Sequence, residues 1–180
     1  MSIKVLKPGV QTTVQDIGRY GYSHFGISSS GPADQFSFRL GNIILGNDEK
    51  LASLEMTLLG GDFQFNSDAE IAITGSRFNI SLDGKYIDYN LPIFVKKNQI
   101  LSIGMTDGGA RCYLSIKGGV KTQNYLNSKT THVMAGMGGF LGRPLKKGDI
   151  LEIGKNNGVN SIKISNNIDE INSSIILINS

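Results

Sequence analysis

The chain has no tryptophan, one cysteine and two histidines among its 180 residues. A single cysteine, Cys112, closes no disulfide within the chain and excludes a zinc site built on several thiolates. It stands in an apolar, strand-like run, where a thiol serves as a small hydrophobe. His24 and His132 lie far apart, and neither has a partner at the spacing of a His-x-x-x-His metal motif. A surface or hydrogen-bonded role is the ordinary one for each, and no metal site is expected. Long apolar runs are missing too. None approaches the ~20 residues of a membrane span. Lys4 and Lys7 are followed by polar residues, not by the apolar core of a signal peptide, so a cytoplasmic location is expected. Charge of one sign is also scarce. Eighteen basic and 15 acidic residues leave a formal charge of +3, and the longest basic runs are pairs, Lys96-Lys97 and Lys146-Lys147. That argues against nucleic-acid binding and against a basic membrane-binding helix.

Glycine, at 23 residues, is abundant. Short apolar segments recur between turn signals, which predicts a mainly β fold, a barrel or a sandwich. The expected strands cover residues 3–6, 55–59, 62–65, 71–74, 78–82, 94–95, 100–103, 113–116 and 150–153, with a hairpin turn at Asp83-Gly84. One convincing helix is expected over 32–45. Pro32 suits its first turn and Asp34 the positive end of its dipole. Phe36, Leu40, Ile43 and Ile44 share one face, predicted to plug one side of the sheet, and Gly46 ends the helix. A second, short helix is expected over 120–126. Residues 155–158 read as a linker, 162–164 as a weak strand and 175–178 as a terminal strand needing a partner.

The chemistry concentrates in residues 10–47. Gln15, Asp16 and Arg19 place an amide, a carboxylate and a guanidinium within five positions, among Gly18, Gly21 and Gly26. Such groups either fix a loop to itself or hold an anionic or amide-bearing ligand. Arg19 and Arg143, both set among glycines, either grip a carboxylate or phosphate or bridge a loop carboxylate such as Asp16 or Asp149. Glu55, flanked by Leu54 and Met56, lies on an outer strand face or inside a site that raises its pKa; alternation alone favours the solvated face. Residues 136–142 imitate a dinucleotide loop without its glycine spacing, 139–147 contain no P-loop, and Ser28-Ser29-Ser30 form no nucleophile elbow.

The run Thr12-Thr13-Val14-Gln15-Asp16, Gly18-Arg19, Gly31, Asp34 and Gly41-Asn42 is joined by Leu54-Glu55-Met56-Thr57 and Ile73-Thr74-Gly75. Gly118-Gly119-Val120, Gly138-Gly139 and Gly142-Arg143-Pro144-Leu145 complete the pattern. Together these residues resemble the allophanate hydrolase subunit 2 family. This is the biotin-dependent carboxyltransferase-type family that contains the C subunit of the ATP-dependent 5-oxoprolinase. The resemblance covers most of residues 3–154. It implies a cyclophilin-like β-barrel lobe over 1–154, followed by a linker and strand over 155–180, and an N-terminal portion of a longer family member. It also implies a component that helps open 5-oxo-L-proline to L-glutamate. ATP would come through a complex with a B-subunit-like cyclophilin-fold protein and an A-subunit-like protein. The alternatives are a urea amidolyase-type lobe receiving carboxybiotin from a partner's carrier, or a non-catalytic binding protein. The resemblance assigns catalytic roles to Arg19, Glu55 and Arg143, and substrate contacts to Gln15, Asp16, Asp34, Lys129, Thr130, Gly138 and Gly139. Thr130 stands where the family tends to have serine, and Asn127 where it tends to have glycine.

Overall fold

A computed structural model describes residues 1–155. The strands expected at 162–164 and 175–178 lie outside the described residues. Within them the chain is mainly β, with one short α-helix. Seven strands form one antiparallel sheet: β1 (Ser2–Lys7), β4 (Asp62–Phe65), β6 (Phe78–Leu82), β7 (Lys85–Tyr86), β9 (Ile100–Thr106), β11 (Val120–Lys121) and β12 (Ile150–Ile153), in the order β11-β12-β1-β4-β9-β6-β7. Five form a second: β2 (Gln11–Gln15), β3 (Ser53–Thr57), β5 (Ala69–Gly75), β8 (Ile93–Val95) and β10 (Arg111–Ile116), in the order β2-β3-β10-β5-β8.

Alternation builds the core. Ile3, Val5, Phe63, Phe65, Leu101 and Ile103 come from the seven-stranded sheet. They join Leu54, Met56, Ile71, Ile73, Cys112 and Leu114 from the five-stranded one in a single cluster. Each such side chain, fully buried, is worth about 1.5–3 kcal/mol of transfer free energy. The opposite face of the five-stranded sheet carries Ser53, Glu55, Thr74, Tyr113 and Ser115, all buried. The helix α1 (Gln35–Ile44) covers it. Small polar side chains there let the helix come close. Thr74 Oγ1 donates to the Ser37 carbonyl at 2.7 Å, and Gly41 lies over Ser115.

The structure corrects three expectations about helices. In α1, Phe36 is 69% exposed and Ile43 is 43% exposed, while Ser37, Phe38, Gly41, Asn42 and Ile44 are buried. The sheet face selects for close approach rather than hydrophobicity, so the buried stripe includes polar and small residues. The helix also begins at Gln35, with Asp34 as its N-cap and Pro32 ahead of it. Gly46 ends it as expected, left-handed at φ 66°, with its N–H donating to the Ile43 carbonyl at 2.9 Å and that of Asn47 to Asn42 at 3.0 Å. The helix expected over 120–126 is absent. β11 instead adds an edge to β12, and Leu126 and Asn127 adopt φ of 53° and 59°, which a right-handed helix excludes.

Candidate ligand-binding site

Beyond β2 the chain turns into residues 16–31, and residues 128–131 dock against it. Thr131 holds the two together, its N–H and Oγ1 both donating to the Val14 carbonyl at 3.0 and 2.8 Å. Asp16 is the knot of this junction. Its Oδ1 accepts from the Gly18 N–H at 3.0 Å and Ser128 Oγ at 2.6 Å, and its Oδ2 from the Lys129 N–H at 2.5 Å. Gln15 donates to Thr13 Oγ1 at 2.9 Å and accepts from Thr130 Oγ1, which in turn accepts from the Gly31 N–H at 3.0 Å. Gln15, Asp16, Lys129 and Thr130 are thus brought together, and the contacts of Asp16 are those of a carboxylate that fixes a loop. Lys129 contributes its backbone N–H to that lock.

Arg19 is different. It is the largest fully buried side chain among the described residues, 1% exposed. Its Nη2 donates to the Thr130 carbonyl at 2.6 Å. Its Nε and Nη1 are buried with no hydrogen-bond partner. The ion pair with Asp16 that its sequence context allowed does not form; the acceptors of Asp16 are taken by the loop. Burial lowers the pKa of Arg19, and the charges of Asp16 and Tyr125 act in the opposite direction. Unpaired buried donors on a cation are rare and costly in native proteins. Gly138 lies directly against this guanidinium: a Cβ there would fall 2.5 Å from Arg19 Nη2. Gly139 likewise leaves no room for a side chain against Thr131. Both glycines line a groove of about 810 Å³ together with Thr122, Tyr125, Met137 and Phe140. The guanidinium lies 5.9 Å from the Tyr125 ring centroid. Arg19, Gly138, Gly139, Thr130 and Gln15 therefore form one assembly under one groove.

Glu55 and Asp34 form a second cluster, at the start of α1. Glu55 Oε2 accepts from the Ala33 N–H and from Tyr113 Oη, both at 2.8 Å, and Oε1 lies 3.6 Å from Arg111 Nε. Tyr113 Oη also accepts from the Asp34 N–H at 2.8 Å. Burial, more than the neighbouring Glu55 charge, pushes the Tyr113 phenol well up. Alternation placed Glu55 on the outer face, yet that face is not solvated: residues 32–34 cover it, leaving Glu55 9% exposed. Asp34 accepts from the Ser37 N–H at 3.0 Å and Ser37 Oγ at 2.5 Å, a helix cap. Arg143 is fully engaged. It meets Asp149 through two hydrogen bonds of 2.8 and 3.0 Å, donates to the Pro144 carbonyl at 2.9 Å and lies 5.6 Å from the Phe140 ring centroid.

Sequence reasoning passed over Thr122 and Tyr125, which line the groove, and Tyr113, Ser128 and Thr131, which hold it or the helix in place. Ser128 and Thr131 flank Lys129 and Thr130, which the family resemblance did mark; Thr122, Tyr125 and Tyr113 carried no local signal. Among the described residues no group of three or more His, Cys, Asp or Glu is arranged to hold a metal ion. None of the described helices is long and apolar enough to cross a membrane. At the start of α1 the N–H groups of Ala33, Asp34 and Ser37 are taken by Glu55, Tyr113 and Asp34.

A family model, the carboxyltransferase domain, subdomain A and B, matches residues 25–175. The chain belongs to this family, and its mainly β structure is a cyclophilin-like lobe whose two sheets stay open. It is 41% identical over 163 residues to urea amidolyase of Saccharomyces cerevisiae, covering 90% of this chain and 9% of that protein. It is 36% identical over 153 residues to the 5-oxoprolinase C subunit of Escherichia coli, covering 85% of this chain and 49% of that protein. The crystal structure of K. lactis urea amidolyase superposes with a TM-score of 0.84 at 41% identity, over 89% of this chain and 10% of that one. The chain thus spans about half the length of the oxoprolinase relative and about a tenth of the amidolyases.

Proposed function

We propose that this chain supplies a lobe of an amide-processing enzyme, as a C-subunit-like component of an ATP-dependent 5-oxoprolinase that opens 5-oxo-L-proline to L-glutamate. The observation that carries this reading is Arg19: a buried guanidinium with two unpaired N–H positions beneath a glycine-lined groove. Opening a lactam builds negative charge on the amide oxygen. Donors held in a low-dielectric site stabilise that charge without reorganising, and each is worth roughly 3 kcal/mol where it has been removed from comparable sites. Gln15, Asp16 and Thr130 keep the guanidinium in place by fixing the loops around it. ATP would activate the amide, and in this reading it binds through partner chains, a B-subunit-like cyclophilin-fold protein and an A-subunit-like protein. Glutamate release from 5-oxoproline and ATP, in a reconstituted set with and without this chain, is the test. Activity is expected only with it. Silence, in a set that works with a full-length C subunit, would sink the reading.

The higher identity to urea amidolyase supports a second reading, a carboxyltransferase lobe that takes carboxybiotin from a partner's carrier. The ureido oxygen of biotin suits the same unpaired donors, and biotin would supply the carboxyl group. Urea-dependent ATP turnover that avidin abolishes would select this reading; insensitivity to avidin selects the first.

A further inference from the structure

An aspartyl side chain closes most readily onto the main chain where glycine follows it, because glycine leaves the next nitrogen unshielded. The chain has two such steps, Asp83-Gly84 and Asp107-Gly108. Both lie in exposed turns, and a Cβ added to either glycine would meet nothing within 4 Å. The fold restrains them in opposite ways.

Asp83 is locked. Its Oδ1 accepts from the Ile100 N–H at 2.8 Å and its Oδ2 from Gln99 Nε2 at 2.9 Å. The Ile100 N–H above all, and then Gln99, lower its pKa and keep the side chain ionised. A carboxylate held by both oxygens cannot turn toward the Gly84 nitrogen, and an ionised one has no hydroxyl to lose. Asp107 is loose at its side chain and fixed at its backbone. Its N–H donates to the Arg77 carbonyl at 2.8 Å, while its exposed carboxyl makes no hydrogen bond or ion pair among the described residues. The Gly108 N–H is held inside the same turn, donating to Thr106 Oγ1 at 3.1 Å on the exposed surface. Gly109 and Ala110 follow, both exposed, so no bulky neighbour covers the nitrogen.

We propose that Asp107-Gly108 is a modification site, at which the chain forms a succinimide and then isoaspartate, and that the altered chain is a substrate for a carboxyl methyltransferase that uses S-adenosylmethionine. The Gly108 nitrogen attacks the Asp107 side-chain carboxyl carbon. The carboxyl hydroxyl and the amide proton leave as water. Water then opens the ring at the Asp107 main-chain carbonyl, so the chain runs on through the side-chain carbon and a new α-carboxylate is left free. The mass returns to its starting value, and nothing is oxidised or reduced. The step inserts one methylene into the main chain between two anchors, the Asp107 N–H on Arg77 and the Ala110 carbonyl that accepts from Leu58 at 3.0 Å. The freed α-carboxylate is the group that the methyltransferase would esterify.

The full chain is held at neutral pH and physiological temperature for several weeks. It is then offered to an isoaspartyl methyltransferase with labelled S-adenosylmethionine, and its peptides are mapped by electron-transfer fragmentation. Label is expected to grow with time in tryptic peptide 98–111, whose single aspartate is Asp107. Peptide 78–85, which carries Asp83, is expected to react at least about tenfold more slowly, the factor that one hydrogen bond to a charged group supports. In urea, with the lock on Asp83 gone, the two peptides are expected to react at comparable rates. Asp107→Glu, whose side chain would have to close a larger ring, is expected to remove the label from 98–111 and leave the thermal midpoint unchanged. Asn157-Gly158, outside the described residues, reaches isoaspartate only with loss of ammonia and a change in mass, so its peptide is told apart. A folded chain in which Asp107 stays silent while the unfolded chain reacts would overturn the proposal. So would equal rates at Asp83 and Asp107 in the folded chain, or label that persists in Asp107→Glu.

Discussion

Arg143 meets Asp149 through two hydrogen bonds, and the pairing raises the arginine pKa and lowers that of the aspartate. The Arg143 hydrogen bond is the largest cause for Asp149, opposed by burial and helped by the Lys146 N–H at 2.7 Å. A carboxylate depressed in the folded state stabilises above its unfolded pKa of about 3.9, and that stability is lost as pH falls through the lower folded value. Asp149→Asn should therefore destabilise at neutral pH by roughly 1 kcal/mol, and its stability should fall less steeply below about pH 4. Urea midpoints measured across the acid range check this; parallel curves would show that the pair contributes nothing. Cys112 gives a second measurement. Burial pushes its thiol to about 12, so the thiolate is scarce at neutral pH. Thiol reagents are expected to label it only as fast as the core opens, and labelling at the rate of a free thiol would show β10 opening locally. Arg19 and Arg143 look alike in sequence, both among glycines. Their difference is tertiary: Asp149 is six positions from Arg143 and reaches it, whereas Asp16 is turned toward Ser128 and Lys129 across the fold. The glycines around it drew attention to Arg19 in the sequence, and the family resemblance drew it to Gly138. Neither could reveal that two of the guanidinium's nitrogens stay unpaired, or single out Thr122, whose interest lies in a partner it lacks.

At the scale of elements, the half-buried strands were readable because they write their burial at period two, whereas β2, buried along nearly its whole length, was not foreseen. β4, β6 and β12 fall on the expected residues, with Phe63 and Phe65 inside and Gln64 between them. The helix was readable in its existence, through Asp34 and Gly46, but not in its orientation. Hydrophobic spacing favours the Phe36 and Ile43 face, yet α1 rests on Ser53, Thr74 and Ser115, and the close approach is made by Gly41. A sequence pattern registers apolar stripes; it does not register a polar seam closed by small residues. The seam is testable. Alanine at Gly41 gains about 1 kcal/mol in helix propensity, but its Cβ would lie 2.5 Å from Ser115 Oγ and 3.1 Å from Thr74 Oγ1. The clash is expected to win, since overpacking typically costs about 1–3 kcal/mol. Gly41→Ala should lower the thermal midpoint, and the further change Ser115→Ala should recover part of the loss. A Gly41→Ala protein more stable than the parent would mean that the helix is not held against the sheet.

The molecule as a whole places its candidate site at the seam between the two sheets. Thr122 follows β11 at the edge of the seven-stranded sheet, and Arg19 follows β2 at the edge of the five-stranded one. The segments between are stitched to both: Thr131 and Leu145 bind the carbonyls of Val14 and Thr12 in β2, while Val5 in β1 exchanges bonds of 2.8 Å with Asp149 and Gly148. A ligand that touches Thr122 and Arg19 at once ties the sheets together, so it should resist global unfolding rather than merely quieten a loop. A ligand that binds only the folded chain stabilises it by about 2.7 kcal/mol at a hundred times its Kd. In a chain of this size 1 kcal/mol moves the thermal midpoint by about 2–4 °C, so 5-oxo-L-proline at that excess is expected to raise it by roughly 5–11 °C. The measurement is a calorimetric scan with and without ligand, at a concentration set by a prior titration. A titration that saturates while the midpoint stays put would mean that the ligand binds folded and unfolded chains alike, and a site spanning both sheets could not behave that way.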